Sequence, residues 1–421
     1  SMNNSLGPEL VLPSLPKGYR HRFHAMVKPI GSRCNLNCTY CYYLHKEGLL
    51  QQSAATRISD EILEAHIRQY IEAQTGEQVV FSWQGGEPTL LGIDFFAKVV
   101  NLQAKYRKPG QRIENDLQTN GILLNGDWVL FFKKHNFLVG LSCDGPARLH
   151  DHYRVDKNGA ATHSKVVAAA SLLRRHGVPF NALCVVNRQN ARFPLDVYRF
   201  LTRELGAWRV QLISCVEPRS FRDIAPQHWD PADLPIVGTA RARPDAEDSV
   251  VTPWSVDPEE WGSFLCRIWD EWYRRDFGKV HIDLFETAIA QALGLPAQRC
   301  ITAEFCGKGL ALEHNGDVYA CDHYVYPEYR TGNIAEKHWS ELAYSEGQKR
   351  FAFAKRETLP GYCRSCSYLQ LCWGECPKNR LVRSPEGEIG LNYLCPGLKR
   401  FFRHIDGDMP EILRRVRGDQ K

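Results

Sequence analysis

Between residues 23 and 213, short apolar or alternating runs take turns with amphipathic stretches, and this alternation constrains the fold more than any other feature of the chain. The runs expected as strands are Phe23 to Lys28, Val79 to Trp83, Ile113 to Gln118, Leu138 to Ser142, Phe180 to Val186 and Trp208 to Ile213. Between them, Asp60 to Gln74, Asp94 to Tyr106, Asp127 to His135, His163 to His176 and Pro194 to Glu204 carry apolar residues at helical spacing, several opening on an Asp or a Pro. Strict alternation of strand and helix implies right-handed crossovers and a parallel α/β sheet, either doubly wound or closed into a partial barrel. In both, the functional face lies at the C-terminal ends of the strands.

After Ile213 the pattern stops, and residues 217 to 257, rich in Pro, Asp and Arg, read as a long connection. The stripe Trp261, Phe264, Leu265, Ile268, Trp269 and Trp272 has helical spacing and reads as packed core rather than as a stacking platform for bases. Lys and Arg number 53 against 48 Asp and Glu, spread along the chain, which gives no case for nucleic acid or an anionic membrane as partner. No apolar run approaches the roughly 18 residues of a membrane span, and the N-terminus has no secretory pattern, so a soluble cytoplasmic enzyme is expected. Ser1 before Met2 has the look of an expression scar.

Fifteen cysteines are many for such a chain, and an extracellular disulfide framework suits neither its length nor its lack of a signal segment. Three stand in one loop after the first strand, as Cys34-x3-Cys38-x2-Cys41. A cubane of four irons takes four protein ligands, so three thiolates leave one iron open to a small molecule; a zinc knuckle lacking its fourth ligand is the competing reading. Eight more lie at Cys300, Cys306, Cys321, Cys363, Cys366, Cys372, Cys376 and Cys395, in a turn-rich segment whose one clear hairpin signal is Asn315-Gly316. Spacing alone leaves two closed iron-sulfur clusters and two zinc sites both open there. Cys143, Cys184, Cys215 and Cys266 stand alone and read as small buried hydrophobes.

The first loop resembles that of radical S-adenosylmethionine enzymes, where the methionine part of the cofactor chelates the open iron. Gln84-Gly85-Gly86-Glu87-Pro88 is similar to the family's glycine-rich turn beside the cofactor's amino group. The resemblance further assigns Tyr40, Ser142, Asp144, Arg154 and Leu212 to the cofactor, Arg154 to its carboxylate and Leu212 to its adenine; an exposed ion pair is the alternative for Arg154. It implies electron transfer into the sulfonium and a deoxyadenosyl radical able to remove an unactivated hydrogen atom. The C-terminal cysteines resemble a SPASM extension, which implies iron rather than zinc, with Cys300, Cys306, Cys321 and Cys376 on one auxiliary cluster and Cys363, Cys366, Cys372 and Cys395 on the other. Three 4Fe-4S clusters are thus expected.

Longer stretches are similar to the anaerobic sulfatase-maturating enzymes: Lys28-Pro29-Ile30-Gly31-Ser32, Trp83 to Leu90, Glu313 to Tyr324 and Leu391 to Cys395. Members oxidise a Cys or Ser, in a Cys/Ser-x-Pro-x-Arg segment of an unfolded sulfatase, to Cα-formylglycine. The resemblance implies a sulfatase polypeptide as partner and an electron donor such as flavodoxin or ferredoxin. It makes Asp322 the base that deprotonates the substrate, a role that favours a partly buried carboxyl of raised pKa; a turn-capping aspartate is the alternative. Tyr43 and Gln84 are expected along the peptide channel, with plain packing as the other account. The expected layout is an extension over 1–22, a partial (β/α)6 barrel over 23–235, a linker with bridging helices over 236–295, the SPASM domain over 296–403 and a tail over 404–421. Competing functions are another SPASM peptide modifier forming thioether or carbon-carbon crosslinks, for whose recognition domain the first strand leaves no room, and a zinc-binding interaction protein.

Overall fold

The structure is a computed structural model that describes residues 22–53 and 56–418; Ser1, nearly all of the expected N-terminal extension and the last three residues of the expected tail lie outside the described residues. The chain divides into two compact units. One takes Ser1–Ser142, Arg154–Asn181 and Gly307–Ala354, the other Cys143–Tyr153, Ala182–Cys306 and Lys355–Lys421.

All six expected strands form: β1 (His24–Lys28), β2 (Gln78–Trp83), β3 (Arg112–Thr119), β4 (Leu138–Ser142), β5 (Phe180–Val186) and β6 (Arg209–Ser214). The helices between them run Asp60–Ala73, Ile93–Tyr106, Gly126–His135, His163–Arg175 and Pro194–Arg199, the last continuing as a wider turn through Glu204. Their starts follow local chemistry. Ser59 caps the first by accepting from the Ile62 amide, and Asn125 caps the third by accepting from that of Trp128.

In the first unit β1 to β4 pair in parallel and in sequence order. Three further strands extend the other side of β1: β8 (Gly309–Glu313), parallel to β1, then β9 (Asp317–Tyr319) and β10 (Arg330–Asn333), both antiparallel. The Asn315-Gly316 signal is the β8–β9 turn, with Gly316 at a left-handed φ of 91°. The parallel partnership of β8 with β1 was not expected. The segment after Cys300 is also more regular than its turn-rich sequence suggests, since it carries a helix at Glu346–Glu357.

The second unit holds β5, β6 and the short β7 (His281–Ile282) in that order. Its core includes the helix Pro258–Glu271, where Trp261, Phe264, Leu265, Ile268 and Trp269 are buried as the stripe implied. This helix packs against Cys395–Asp406 through Gly262 and Gly397, so closely that a Cβ on Gly397 would stand 2.0 Å from the Pro258 carbonyl oxygen. The four isolated cysteines are all buried.

Candidate active site at the C-terminal edge of the first sheet

Parallel pairing brings the C-terminal ends of β8, β1, β2, β3 and β4 to one edge of the first unit, and the cysteine loop rises from the end of β1. The glycine turn after β2 is laced to it: the Gly86 amide donates to Gly31 O at 2.8 Å and the Glu87 amide to Arg33 O at 2.8 Å. A Cβ on Gly86 would lie 1.7 Å from that same Arg33 oxygen. Glycine is therefore required by the approach of the cysteine loop, a reason beyond the space a cofactor needs. The buried Glu87 carboxylate accepts from the Thr89 amide and hydroxyl, the Thr119 hydroxyl and the Asn120 amide. Its side chain is spent on the chain itself, which leaves backbone groups of the turn for any ligand.

On the loop, the Leu36 amide donates to Cys34 Sγ at 3.4 Å and the Cys41 amide to Cys38 O at 3.1 Å. The Asn37 amide donates to Val155 O, tying the loop to the chain just past Arg154. Arg154 is buried rather than exposed, with its guanidinium 5.4 Å from the centre of the Tyr40 ring. Ser142, at the end of β4, accepts from Gln118 at 2.9 Å. Gln84 is half-buried, its amide on Val27 O. In the second unit, Asp144 is buried and accepts from the Val185 amide at 3.0 Å, while Leu212 lies on the buried face of β6 with Val210.

Register places Lys28, the last residue of β1, opposite Glu313, the last of β8. The β9 strand then leads to Cys321 and Asp322. Asp322 is buried; its Oδ1 pairs with the Lys28 ammonium and its Oδ2 accepts from the Tyr42 hydroxyl at 2.8 Å. Burial pushes the Asp322 carboxyl up, but Lys28, His323 and the hydrogen bonds from Lys28 and Tyr42 together hold it below the usual carboxylate range. The expected burial is present, and the expected raised pKa is corrected by this buried cation. Asp322 is a standing carboxylate.

Tyr43 is buried against Ala311, Tyr319 and Val325, with its hydroxyl donating to Glu313 and the Lys28 ammonium 4.6 Å from its ring centre. Gln52 donates to the other Glu313 oxygen at 3.1 Å. Tyr42, half-buried, is the neighbour that reaches Asp322. Lys28, Tyr42 and Glu313 were given no role from sequence, although Lys28 and Glu313 open two of the stretches that carry the resemblance; for those two the available signal was a charged residue at the very end of an apolar strand run.

In the second unit Cys363, Cys366, Cys372 and Cys395 line one cavity, which gathers four of the eight distal cysteines. Cys300 stands close enough to Cys306 and Cys376, and Cys306 to Cys376, to help raise the Cys306 and Cys376 thiols above the ordinary value. Cys321 belongs to the first unit. Among the described residues no three His, Cys, Asp or Glu side chains converge as ligands of a single ion; a cubane spreads its thiolates over separate irons and suits such looser groups. Burial pushes the Cys34, Cys376 and Cys395 thiols up to about 12, so ligation there must displace protons held by buried sulfur. Soft, buried thiolates fit iron-sulfur clusters.

Comparison with known proteins agrees with this donor set. The radical SAM superfamily matches residues 29–201, and the SPASM iron-sulfur cluster-binding domain residues 302–367. A serine-type anaerobic sulfatase-maturating enzyme of Bacteroides thetaiotaomicron is 43% identical over 397 residues, covering 94% of this chain and 92% of that protein. A cysteine-type enzyme of Clostridium perfringens is 33% identical over 383 residues, covering 90% and 95%. The solved structure of native anSMEcpe with bound AdoMet and Cp18Cys peptide matches with a TM-score of 0.78 at 30% identity, over 93% of this chain and 99% of that one. Streptococcus suis SuiB bound to precursor peptide SuiA, 16% identical with a TM-score of 0.56 over 87% of this chain and 75% of that one, shares the fold. Three cysteines on a loop at the sheet's C-terminal edge, a glycine turn laced to that loop and likeness to these proteins over nine-tenths of the chain make it a member of the anaerobic sulfatase-maturating enzymes, within the radical SAM superfamily.

Proposed function

We propose that this chain oxidises a Ser or Cys, within a Ser/Cys-x-Pro-x-Arg segment of a sulfatase, to Cα-formylglycine, with Asp322 accepting the proton of the substrate's hydroxyl or thiol. The observation that carries this reading is the buried Asp322 carboxylate beside Cys321, held from one side by Lys28 and from the other by Tyr42. Cys34, Cys38 and Cys41 would hold the first cluster, with Tyr40, Gly85, Gly86, Ser142 and Arg154 around S-adenosylmethionine; the eight distal cysteines would hold the auxiliary clusters. Once bound and reduced, this cofactor pair supplies the abstraction of a hydrogen atom from the target's β-carbon.

The residues of the chain then have two tasks. A carbon radical whose neighbouring oxygen or sulfur has lost its proton gives up its electron far more readily, so the group that receives that proton commits the second oxidation. Asp322 suits this because it is ionised in advance and aimed by two donors. A seryl target loses two hydrogens in all, one as an atom and one as a proton to Asp322, and an auxiliary cluster held by the distal cysteines would supply the acceptor for the remaining electron. An external donor of flavodoxin or ferredoxin type would recharge the first cluster.

The test is to incubate anaerobically reconstituted, reduced protein with cofactor and two peptides that differ only in Ser or Cys. The expected result is an aldehyde product by mass from at least one of them, with the ratio reading the substrate preference. Deoxyadenosine formed without any modified peptide would overturn the assigned substrate.

A further inference from the structure

Lys355 sits near the end of the helix Glu346–Glu357 and is only 1% exposed. Its ammonium donates to Cys300 O at 2.8 Å and Ile301 O at 2.9 Å, both neutral carbonyls. Among the described residues no carboxylate lies within ion-pair distance of it. The nearby Glu375 carboxylate is turned to the Cys376 amide at 2.9 Å and to Asn379 at 3.0 Å. Two neutral hydrogen bonds do not repay the removal of a full positive charge from water, so the site calls for negative charge from another source. Burial draws the Lys355 ammonium below the ordinary lysine value, with Arg380 adding to the effect, while Cys306, Cys376 and Cys300 push it back up. The neighbours that can supply negative charge are the cysteine sulfurs and the Glu375 side chain, on which Lys355 acts in turn.

We infer that the Lys355 ammonium, alongside Lys378 and Arg380, is a fixed counter-charge of the auxiliary cluster held in part by Cys300, Cys306 and Cys376, and that it raises the reduction potential of that cluster so that it accepts the substrate's second electron. The inference rests on the reading of those cysteines as cluster ligands. A fixed cation beside a cluster favours the state carrying one more electron, and net charge and hydrogen bonding near the sulfurs are levers that set such potentials. The cluster would take up one electron as the deprotonated substrate radical becomes the carbonyl, and a one-electron carrier of flavodoxin or ferredoxin class would then accept that electron from it.

Potentiometric titration followed by electron paramagnetic resonance, together with iron analysis, tests this on the fully reconstituted chain without substrate. In Lys355→Gln, which keeps a donor for the two carbonyls but removes the charge, one midpoint falls by at least about 59 mV, a tenfold change in a one-electron equilibrium. Lys355→Arg stays with the wild type. Full iron with unmoved midpoints in Lys355→Gln overturns the inference, as does an equal shift in both variants. Should Lys355→Gln lose about four irons, retention of them in Lys355→Arg supports the counter-charge and their loss from both variants contradicts it. Wild-type protein without auxiliary iron would instead overturn the ligand assignment, and this inference with it.

Discussion

Lys28 and Asp322, far apart in the sequence, form a buried ion pair at the C-terminal edge of the first sheet, with the Tyr42 hydroxyl on the second Asp322 oxygen. Such a pair contributes little net stability, since desolvation offsets most of the attraction, but it fixes direction. The proposed proton acceptor is therefore oriented before any peptide arrives.

Replacing that acceptor separates the two halves of the reaction. Asp322→Asn keeps size and hydrogen bonding to Tyr42 but removes the carboxylate. It is expected to retain the wild-type iron content and cofactor cleavage while aldehyde yield drops by a hundredfold or so, the usual range for a lost general base. Chromatography of deoxyadenosine beside peptide mass spectra reads both quantities, and undiminished aldehyde would remove Asp322 from the mechanism.

Lys28 is expected to act on the same step through Asp322. Lys28→Met leaves a carboxylate buried without its cation, at a cost of about 3–5 kcal/mol. Aldehyde per deoxyadenosine should fall at least tenfold. Pairing it with Asp322→Leu should restore most of the lost thermal stability and none of the activity, because an apolar pair needs no compensation. Thermal melts of the single and double variants check this; equal melting of both would mean that the pair is not coupled.

The glycine turn makes a steric prediction. A methyl group at residue 86 meets the Arg33 carbonyl at 1.7 Å, and backbone cannot swing aside as a side chain does. Gly86→Ala should lose about four irons per chain, those of the loop cluster, together with all cofactor cleavage, while the distal clusters persist. Iron analysis and resonance spectra distinguish this from general misfolding, in which all clusters would go together.

His66 supplies a pH dependence of stability away from the metal ligands. It is fully buried, accepts from the Trp339 indole at 2.9 Å, and burial draws its pKa down to about 3. The unfolded chain binds a proton there near pH 6.5 and the folded chain does not, so the stabilising contribution is whole above about pH 6.5 and falls with acid, by about 1.4 kcal/mol per pH unit, until about pH 3. His66→Gln, which still offers an acceptor to Trp339, should melt with a flatter dependence between about pH 7.5 and pH 5. Parallel curves for wild type and variant would contradict the assignment.

Much of this was legible in the sequence because it is local. The six strands, their helices and the Cys34-Cys38-Cys41 loop each declare themselves within a window of a few residues, and the strand C-termini mark where chemistry gathers. What escaped depends on pairing across the chain. Gly309–Glu313 lacks a strand's alternation because, as β8, it is buried on both faces beside β1, and only that pairing sets Lys28 against Glu313. The raised pKa expected at Asp322 failed for the same reason, since burial was foreseeable and a lysine brought in by register was not.

The account stands or falls on three thiolates leaving an iron free for the cofactor. The direct measurement is deoxyadenosine formation by the reduced chain with Cys34, Cys38 and Cys41 all changed to Ala, alongside its iron content. The account predicts about eight irons in place of about twelve and no deoxyadenosine; cofactor cleavage by this variant at the wild-type rate would contradict it.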